Sequence, residues 1–285
     1  MSEVKDDLGN WIGREEVTDD VATAAPLGGL AATLDRDEAP PAVGDTVPPG
    51  GHWLYFLPRA PQSGLGPDGH PRRGGFLPPV PLPRRMWAGS RIEFPGVLRV
   101  GDAIRRRSRI HDVTQKSGKS GALVFVVVRH EILGADGVAV VEEQDLVYRE
   151  APDPSAPPPP PRPAPEDAAW SKTIHPDPVM LFRYSALTFN GHRIHFDRPY
   201  AMETEDYPGL VVHGPLIATL LMALCRTERP EAPLATFEVR MMRPLFDIAP
   251  FTVCGKPAPD GASAELWAAN PEGALAAQVS LTFKG

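Results

Sequence analysis

Residues 151–165, with the sequence APDPSAPPPPPRPAP, divide the chain near its middle. Proline has no amide hydrogen and a fixed φ angle, so this segment lacks the donors to join a sheet ladder and forms an extended, semi-rigid spacer. A binding site for a proline-reading domain is the alternative. Because regular patterns flank the segment, we predict a linker between an N-terminal domain, residues 1–150, and a C-terminal domain, residues 166–285.

Both predicted domains end in β-strands separated by turn signals. Strands are predicted before the linker at residues 98–113, 122–133 and 138–149, and after it at residues 235–246, 251–256, 262–269 and 274–283. The pairs Asp136-Gly137 and Asp260-Gly261 indicate tight turns between strands. Each domain is therefore predicted to contain an antiparallel meander.

A helix is predicted ahead of each meander. Residues 215–226 are apolar on all sides, as in a buried helix, and Pro215 fits its first turn. Residues 14–34 are a weaker helix candidate, because Pro26 and two glycines interrupt them. This pattern by itself predicts a duplicated α+β fold.

The overall charge and the cysteines restrict the classes of partner. A formal net charge of −7 disfavours nucleic acid, because non-specific affinity there depends on Lys and Arg contacts to phosphates. Two cysteines, Cys225 and Cys254, cannot form a secreted disulfide framework. The acidic start is unlike a secretory or transit peptide, and no apolar run reaches the roughly 20 residues of a membrane helix. We expect a cytoplasmic protein without a membrane or nucleic-acid partner.

Clusters of arginine are the candidates for binding an anionic ligand. They are Arg72 with Arg73, Arg84 with Arg85, and the IRRRSRI run at residues 104–110. In a strand, Arg105, Arg107 and Arg109 would share one face, and Arg106 and Ser108 the other. Charged side chains generally lie outside the core, so we expect the run to be a solvated face, with a phosphate cradle as the alternative.

The segment YSALTFNGHRIHFDRPYA, residues 184–201, concentrates groups suited to proton transfer. His192 and His195 titrate nearest neutrality, and the Asn190 carboxamide and Asp197 carboxylate are close in sequence. His192, His195 and Asp197 also suit zinc, and satisfied structural histidines are a further alternative. Because no strong second cluster supports a metal, we predict neither a metal nor a cofactor.

Two strings, TFNGHRIHFDRPYA and VVHGPL, resemble the signature of the MaoC-like, R-specific enoyl-thioester hydratases and dehydratases. The resemblance is to the branch of type 2 3-hydroxyacyl-thioester dehydratases and mesaconyl-C4-CoA (3-methylfumaryl-CoA) hydratases. N-terminal strings resemble the branch too: GGFLPPVPLPRRMWAGSRIEF, KSGKSGALVFVVVRHEI and EEQDLVYRE. The resemblance implies an α+β double hotdog, in which two antiparallel sheets each wrap a central helix and the N-terminal half is degenerate.

The activity implied by the resemblance is reversible hydration of a 2-enoyl-CoA to a 3-hydroxyacyl-CoA. The family pattern SGDxNPxH places its His at His195 and its Asp at Asn190. Because Asn cannot act as a base, we predict that His195 takes the proton and returns it to the α-carbon, while the Asn190 carbonyl oxygen fixes the water. Participation of Asp197 is the alternative.

The glycine of VVHGPL is predicted to stabilise the oxyanion. The first amides of a helix have no intrahelical acceptor and carry partial positive charge. Pro215 contributes no donor, whereas the amide of Gly214 is free and its missing side chain allows close approach. Gly214 is therefore assigned to the thioester oxygen.

The substrate-binding residues are predicted to be Tyr184, Arg193, His213 and Arg85. Tyr184 lines the pocket or only caps its edge, and Arg85 contacts the thioester carrier or packs at the domain interface. A mesaconyl or itaconyl chain, which carries a carboxylate, requires a basic residue, for which Arg193, Arg240 and Arg243 are candidates.

Three other functions fit the same motif. They are a 3-hydroxyacyl-carrier-protein dehydratase, a hotdog thioesterase that directs water at the carbonyl carbon, and a non-catalytic acyl-thioester-binding subunit. The expected partner is an acyl-CoA or acyl-carrier-protein thioester, and a homodimer is left open.

Overall fold

The computed structural model describes residues 8–118, 121–151 and 160–285. Within them, ten antiparallel strands form a continuous sheet, and three α-helices pack beside it. The strands are β1 Glu15–Val21, β2 Arg84–Glu93, β3 Ala103–Gly118, β4 Gly121–Gly134, β5 Gly137–Arg149, β6 Trp170–Ile174, β7 Leu234–Met241, β8 Phe251–Pro257, β9 Ser263–Ala269 and β10 Leu275–Phe283. The helices are α1 Ala24–Thr33, α2 Pro178–Leu187 and α3 Gly214–Glu228.

The sheet contains the same strand arrangement twice. Its order is β1-β3-β4-β5-β2-β7-β10-β9-β8-β6, so β1 to β5 and β6 to β10 have matching positions in the two halves. Strands β2 and β7 pair from Gly89↔Arg240 to Glu93↔Thr236 and join the halves edge to edge. The predicted α+β double hotdog is confirmed, with its two sheets fused into one.

Helix α3 is the buried helix that the sequence predicts. Its apolar side chains face β6, β8, β9 and β2, and Leu216, Ile217 and Leu221 are fully buried. At such positions a Leu→Ala substitution costs about 2–5 kcal/mol, so this helix is a major contributor to the core. Among the described residues, no helix is long and apolar enough to cross a membrane.

The predicted helix at residues 14–34 is wrong in its first part. Residues 15–21 form the edge strand β1, and the α-helix is confined to Ala24–Thr33. The reason is tertiary pairing: the acidic run EEVTDD lies antiparallel to the arginine run of β3, where Asp19 accepts hydrogen bonds from Arg105 at 2.6 and 3.1 Å. Arg105, Arg107 and Arg109 are exposed as predicted, whereas Arg106 is half-buried.

Much of the predicted proline linker, residues 152–159, lies outside the described residues. The part that follows is not a free spacer, because Ala164 N donates to Gly273 O at 2.9 Å and Leu275 N donates to Arg162 O at 2.8 Å. One amide and one carbonyl of residues that flank prolines thus attach this segment to the start of β10. The division into domains at residues 150 and 166 stays a prediction.

Candidate active site

A cavity of about 1450 Å³ lies between the two halves of the sheet. Its walls contain both predicted proton-transfer residues, Asn190 and His195, and the predicted oxyanion residue, Gly214. Residues from the N-terminal half complete the walls: Trp53, His70, Arg85 and Trp87. The cavity is therefore a composite of both halves of the chain.

The turn after α2 positions the histidines. Phe189 has a φ of +49°, and this reversal lets Asn190 N donate to Ser185 O at 2.8 Å. The side chain of Asn190 accepts a hydrogen bond from His192 N at 3.0 Å through Oδ1. A short 3-10 turn, Arg193–His195, follows directly. Asn190 thus orders the loop that contains the imidazoles, and its NH2 group has no hydrogen-bond partner among the described residues.

His195 is held as a neutral base. Its Nδ1 donates to Val211 O at 2.7 Å, which leaves the lone pair of Nε2 as the free acceptor. Burial, only partly offset by that hydrogen bond, lowers the pKa of His195 to about 4. At neutral pH this imidazole is uncharged and able to accept a proton.

His213 lies behind His195 and does not line the cavity. The two rings stack with centroids 3.7 Å apart, and His213 Nε2 shares a hydrogen bond with Ser185 Oγ at 2.8 Å. Its Nδ1 is buried without a partner among the described residues, and burial holds its pKa well below the usual value. The geometry gives His213 a supporting place beneath the base, and Tyr184, which does line the cavity, packs 5.0 Å away against it.

Gly214 begins α3 in a confined space. A Cβ atom at this position would lie 2.7 Å from Cε3 of Trp87, so a larger residue would have to displace the indole. No acceptor among the described residues takes the Gly214 amide hydrogen. This combination leaves a helix-terminal N–H pointing outward from the helix beside an aromatic wall, which suits a developing oxyanion.

The arginines differ in their access to the cavity. Arg193 does not line it, because the guanidinium binds Asp197 Oδ2 at 2.7 Å and Pro67 O at 3.1 Å. Arg240 is exposed and does not line the cavity either. Arg85 and Arg243 both do. No carboxylate of the described residues lies within 4.0 Å of Arg85, so its charge is open to a ligand.

A cluster that sequence reasoning missed lies beside His192. Asp68, His70 and His192 bring their ligand-type atoms within 4.8 Å of one another. The His70 ring packs against that of His192 in a tilted arrangement, with centroids 4.1 Å apart, and its Nδ1 is 3.2 Å from Asp68 Oδ2. The metal set predicted as an alternative differs from this one, because Asp197 is engaged by Arg193. The DGH string at residues 68–70 was the available signal, but its partner is more than a hundred residues away in the chain.

Comparison with known proteins identifies the family. Residues 50–247 match the family model described as hydroxyacyl-thioester dehydratase type 2. The chain belongs to this family. Mesaconyl-C(4)-CoA hydratase of Chloroflexus aurantiacus is 50% identical over 276 residues, which cover 96% of this chain and 97% of that protein.

Solved structures agree with the fold. A MaoC-like dehydratase from Phytophthora capsici covers 98% of both chains at a TM-score of 0.65 and 12% identity. A protein of Mycobacterium tuberculosis described as a double hotdog covers 96% of both chains at a TM-score of 0.56 and 13% identity. At these identities the likeness concerns the fold.

Proposed function

We propose that this hydroxyacyl-thioester dehydratase family member adds water reversibly to a 2-enoyl-CoA, giving a 3-hydroxyacyl-CoA. The observation that carries the proposal is a neutral imidazole, His195, in the same cavity wall as a free helix-terminal amide, Gly214. Hydration needs both a base for water and a donor for the enolate oxygen. The relative that is half identical in sequence is named as a hydratase of this kind.

The proposed reaction uses the groups as follows. His195 Nε2 takes a proton from water as the oxygen bonds to the β-carbon, and the displaced π electrons move towards the thioester oxygen at Gly214 N–H. A proton then reaches the α-carbon. Oδ1 of Asn190 already accepts a hydrogen bond from His192 N. The water is therefore held by the second lone pair of this oxygen and by the NH2 group of Asn190.

We propose a short acyl chain with a free carboxylate, as in a mesaconyl-C4 thioester. In that thioester the carboxylate is attached to the carbon that water attacks, so its partner must lie beside the catalytic imidazoles. Arg85 meets this requirement: it lines the cavity, and its charge is one of the influences, after burial, that lower the pKa of His70 and His192. Of the arginines favoured by sequence for this role, Arg243 lines the cavity and is the alternative.

The compartment and the assembly are further parts of the proposal. Cys225 and Cys254 are both free, which supports a reducing, cytoplasmic setting. A homodimer is retained as a proposal that light scattering after gel filtration tests. A CoA carrier is proposed over a carrier protein because the half-identical relative is named for a CoA ester.

The test is a screen of enoyl-CoA esters with and without a carboxylate on the β-carbon. Loss of the ultraviolet absorbance of the conjugated thioester reports hydration, and a thiol reagent reports hydrolysis of the thioester. We expect absorbance loss without thiol release, fastest for the carboxylate-bearing ester. Thiol release would identify a thioesterase, and binding without either signal would identify a non-catalytic subunit.

A further inference from the structure

Two arginines without an acidic partner lie in the cavity wall that the N-terminal half contributes. Arg73 and Arg85 both line the cavity, and no carboxylate of the described residues lies within 4.0 Å of either guanidinium. Burial lowers the pKa of His70, and the charges of Arg85 and Arg73 lower it further. Both guanidinium groups are therefore close to the same imidazole, and two positive charges lie in one part of the wall.

Tyr148 is a shared neighbour of the two arginines. In the antiparallel pairing of β2 with β5, Arg85 lies directly opposite Tyr148, so the two side chains are on the same face of the sheet. The guanidinium of Arg73 packs over the phenol ring, with Cζ 5.3 Å from the ring centroid. Tyr148 is fully buried and does not itself line the cavity. The phenol thus lies behind both cations and sets their spacing.

The side chain of Arg73 is fixed without being neutralised. Its Nη1 donates to the carbonyl oxygens of Val80, at 2.6 Å, and Leu82, and its Nη2 donates to Pro83 O at 2.8 Å. These acceptors are uncharged, so the full positive charge of the guanidinium remains. Three of the five N–H donors of an arginine are thereby occupied, and two remain for a ligand.

The hydroxyl group of Tyr148 has no hydrogen-bond partner among the described residues, although it is buried. An unsatisfied buried hydroxyl costs free energy, so its presence calls for an explanation. Burial raises the pKa of Tyr148, and Arg85 is the first of the influences that oppose this rise. Because a guanidinium only donates, the phenol oxygen is the acceptor that can set the direction of Arg85.

The two cations need an anion that the wall does not supply. Like charges repel each other, and the repulsion is stronger in a cavity from which water is partly excluded. Asp68 contacts His70, and Glu205 pairs with Arg84, so neither carboxylate serves as the counterion. A bound anion would relieve the repulsion between Arg73 and Arg85. The wall is therefore suited to a substrate that brings its own negative charge.

Resting on the hydration reaction above, we propose that Arg73 joins Arg85 in binding the carboxylate on the β-carbon of the acyl group, and that Tyr148 positions Arg85 for this contact. Two guanidinium groups neutralise the carboxylate more completely than one does. This matters for the reaction, because an uncompensated carboxylate would oppose the negative charge that develops on the enolate. Arg73 is thus a second specificity-determining residue, and Tyr148 acts through Arg85.

A phosphate group of CoA is the competing occupant of the two arginines. The position of the arginines argues against it, because they lie near His70, which packs against His192 with ring centroids 4.1 Å apart. The ring of His192 is in turn 5.4 Å from that of His195, the proposed base. In an acyl-CoA the pantetheine arm separates the phosphates from the thioester. With the thioester oxygen at Gly214, the acyl group is the part that reaches this end of the cavity.

The test compares the binding of two saturated esters, succinyl-CoA and butyryl-CoA. They differ only by a carboxylate or a methyl group on the β-carbon, and neither can be hydrated. Calorimetry should show that the wild type binds succinyl-CoA about 10- to 100-fold more tightly, as expected for charge-assisted hydrogen bonds. Tyr148→Phe keeps the ring beneath Arg73 and should reduce this preference about 2- to 10-fold.

Substitutions of Arg73 separate its charge from its contacts with the carbonyl groups. Arg73→Gln should reduce the preference for succinyl-CoA about tenfold. Arg73→Lys loses the same fork of carbonyl contacts but keeps the charge, so it should retain most of the preference. Tyr55→Phe removes a buried hydroxyl that donates to Thr23 O at 2.8 Å, away from the cavity, and is the matched tyrosine control. Arg107→Gln, at an exposed position of β3, is the arginine control, and both controls should keep the full preference.

The outcomes separate this inference from the proposed function, because binding of a saturated ester does not require turnover. Equal affinity of the wild type for the two esters overturns the two-arginine site, even if the protein hydrates enoyl-CoA. So does an unchanged preference in both Tyr148→Phe and Arg73→Gln at wild-type thermal stability. If Arg73→Gln weakens both esters by the same factor, the arginines bind phosphate and the inference is wrong. Preferential binding of succinyl-CoA by a protein that hydrates no enoyl-CoA would support the site and contradict only the proposed function.

Discussion

The two halves of the sheet have the same strand order and carry very different groups on it. In the C-terminal half, the fifteen-residue helix α3 lies against the strands and the reactive imidazoles lie at its start. In the N-terminal half, the corresponding stretch before β2 contains only two short 3-10 turns, Gly51–Leu54 and Gln62–Gly64, and α1 packs on α2. One half thus supplies the buried helix and the proposed base, and the other leaves room for the proposed substrate.

The N-terminal half has a buried carboxylate where the C-terminal half has its buried central helix. Glu142 on β5 is 1% exposed and accepts hydrogen bonds from Ser90 at 2.7 Å and Trp53 at 3.0 Å, with His52 Nε2 3.1 Å away. Burial alone would raise the pKa of Glu142, but His52, followed by His130 and Ser90, lowers it to about 2. The Ser90 hydroxyl also accepts from Trp87, whose ring packs on Gly214. The comparison teaches that the N-terminal half supports one wall of the site through this buried network.

Removing the proposed base, His195, should have the largest effect. His195→Ala is expected to lower kcat by about 10²- to 10⁴-fold, because the water loses its proton acceptor. The fold should persist, since the alanine deletes one hydrogen bond to Val211 O. Enoyl-thioester absorbance measures the rate, and circular dichroism checks the fold. Normal turnover by His195→Ala would show that the C-terminal half does not supply the base.

The matching substitution in the N-terminal half should affect stability. Glu142→Ala leaves His52, Trp53 and Ser90 without their common acceptor, which is expected to cost about 3–5 kcal/mol of unfolding free energy. Urea unfolding measures the loss. Glu142→Gln keeps an acceptor oxygen and should lose less. If both variants unfold like the wild type, the buried network does not support this half.

The sequence was most informative where structure is local. Turn pairs such as Asp136-Gly137 and the unbroken apolar run of α3 placed five strands and the buried helix within two residues of their observed bounds. The predicted strands at residues 98–113 and 235–246 are displaced by five residues at one or both ends from β3 and β7. The family motif brought His195, Asn190 and Gly214 to one cavity wall. These features depend on neighbours in the chain, so a pattern of residues is sufficient to find them.

Features that depend on distant partners were missed. Residues 15–21 have a weak strand pattern, and the opposing arginines of β3 make them an edge strand. Strand β2 was not predicted either, although it joins the two halves through β7. The Asp68–His70 loop becomes part of the site only through its contacts with Gly191 and Arg193. No local periodicity encodes such contacts.

Substitution of Arg85 should separate recognition of the acyl group from chemistry. Arg85→Gln is expected to reduce kcat/KM for an ester with a β-carboxylate by about 10- to 100-fold, the value of a charge-assisted hydrogen bond of roughly 1.5–3 kcal/mol. An enoyl-CoA without that carboxylate should change little. Arg240→Gln, at an exposed position of the neighbouring strand β7, is the control and should alter neither rate. Equal losses on both esters would place Arg85 outside acyl recognition.

The smallest expected effect is the contribution of each half to the loss of stability in acid. Burial lowers the folded-state pKa of His130, in the N-terminal half, to about 4, and that of His195, in the other half, to the same value. The unfolded chain therefore binds more protons below about pH 6.5, and stability falls as the pH drops from there towards about 4. Each imidazole contributes at most about 1.4 kcal/mol per pH unit in this window.

His130→Gln tests the share of the N-terminal half, because glutamine can still bond to Ser108 Oγ, 2.8 Å from the imidazole, but does not titrate. Urea unfolding at several pH values between about 7 and 5 should show a shallower loss of stability than in the wild type. Val126→Ala, which truncates a buried side chain on the same strand, should lower stability by a constant amount at every pH. If the unfolding free energy of His130→Gln falls with pH as steeply as that of the wild type, the acid sensitivity comes from the imidazoles around the cavity. Acid would then unfold the protein through its C-terminal half.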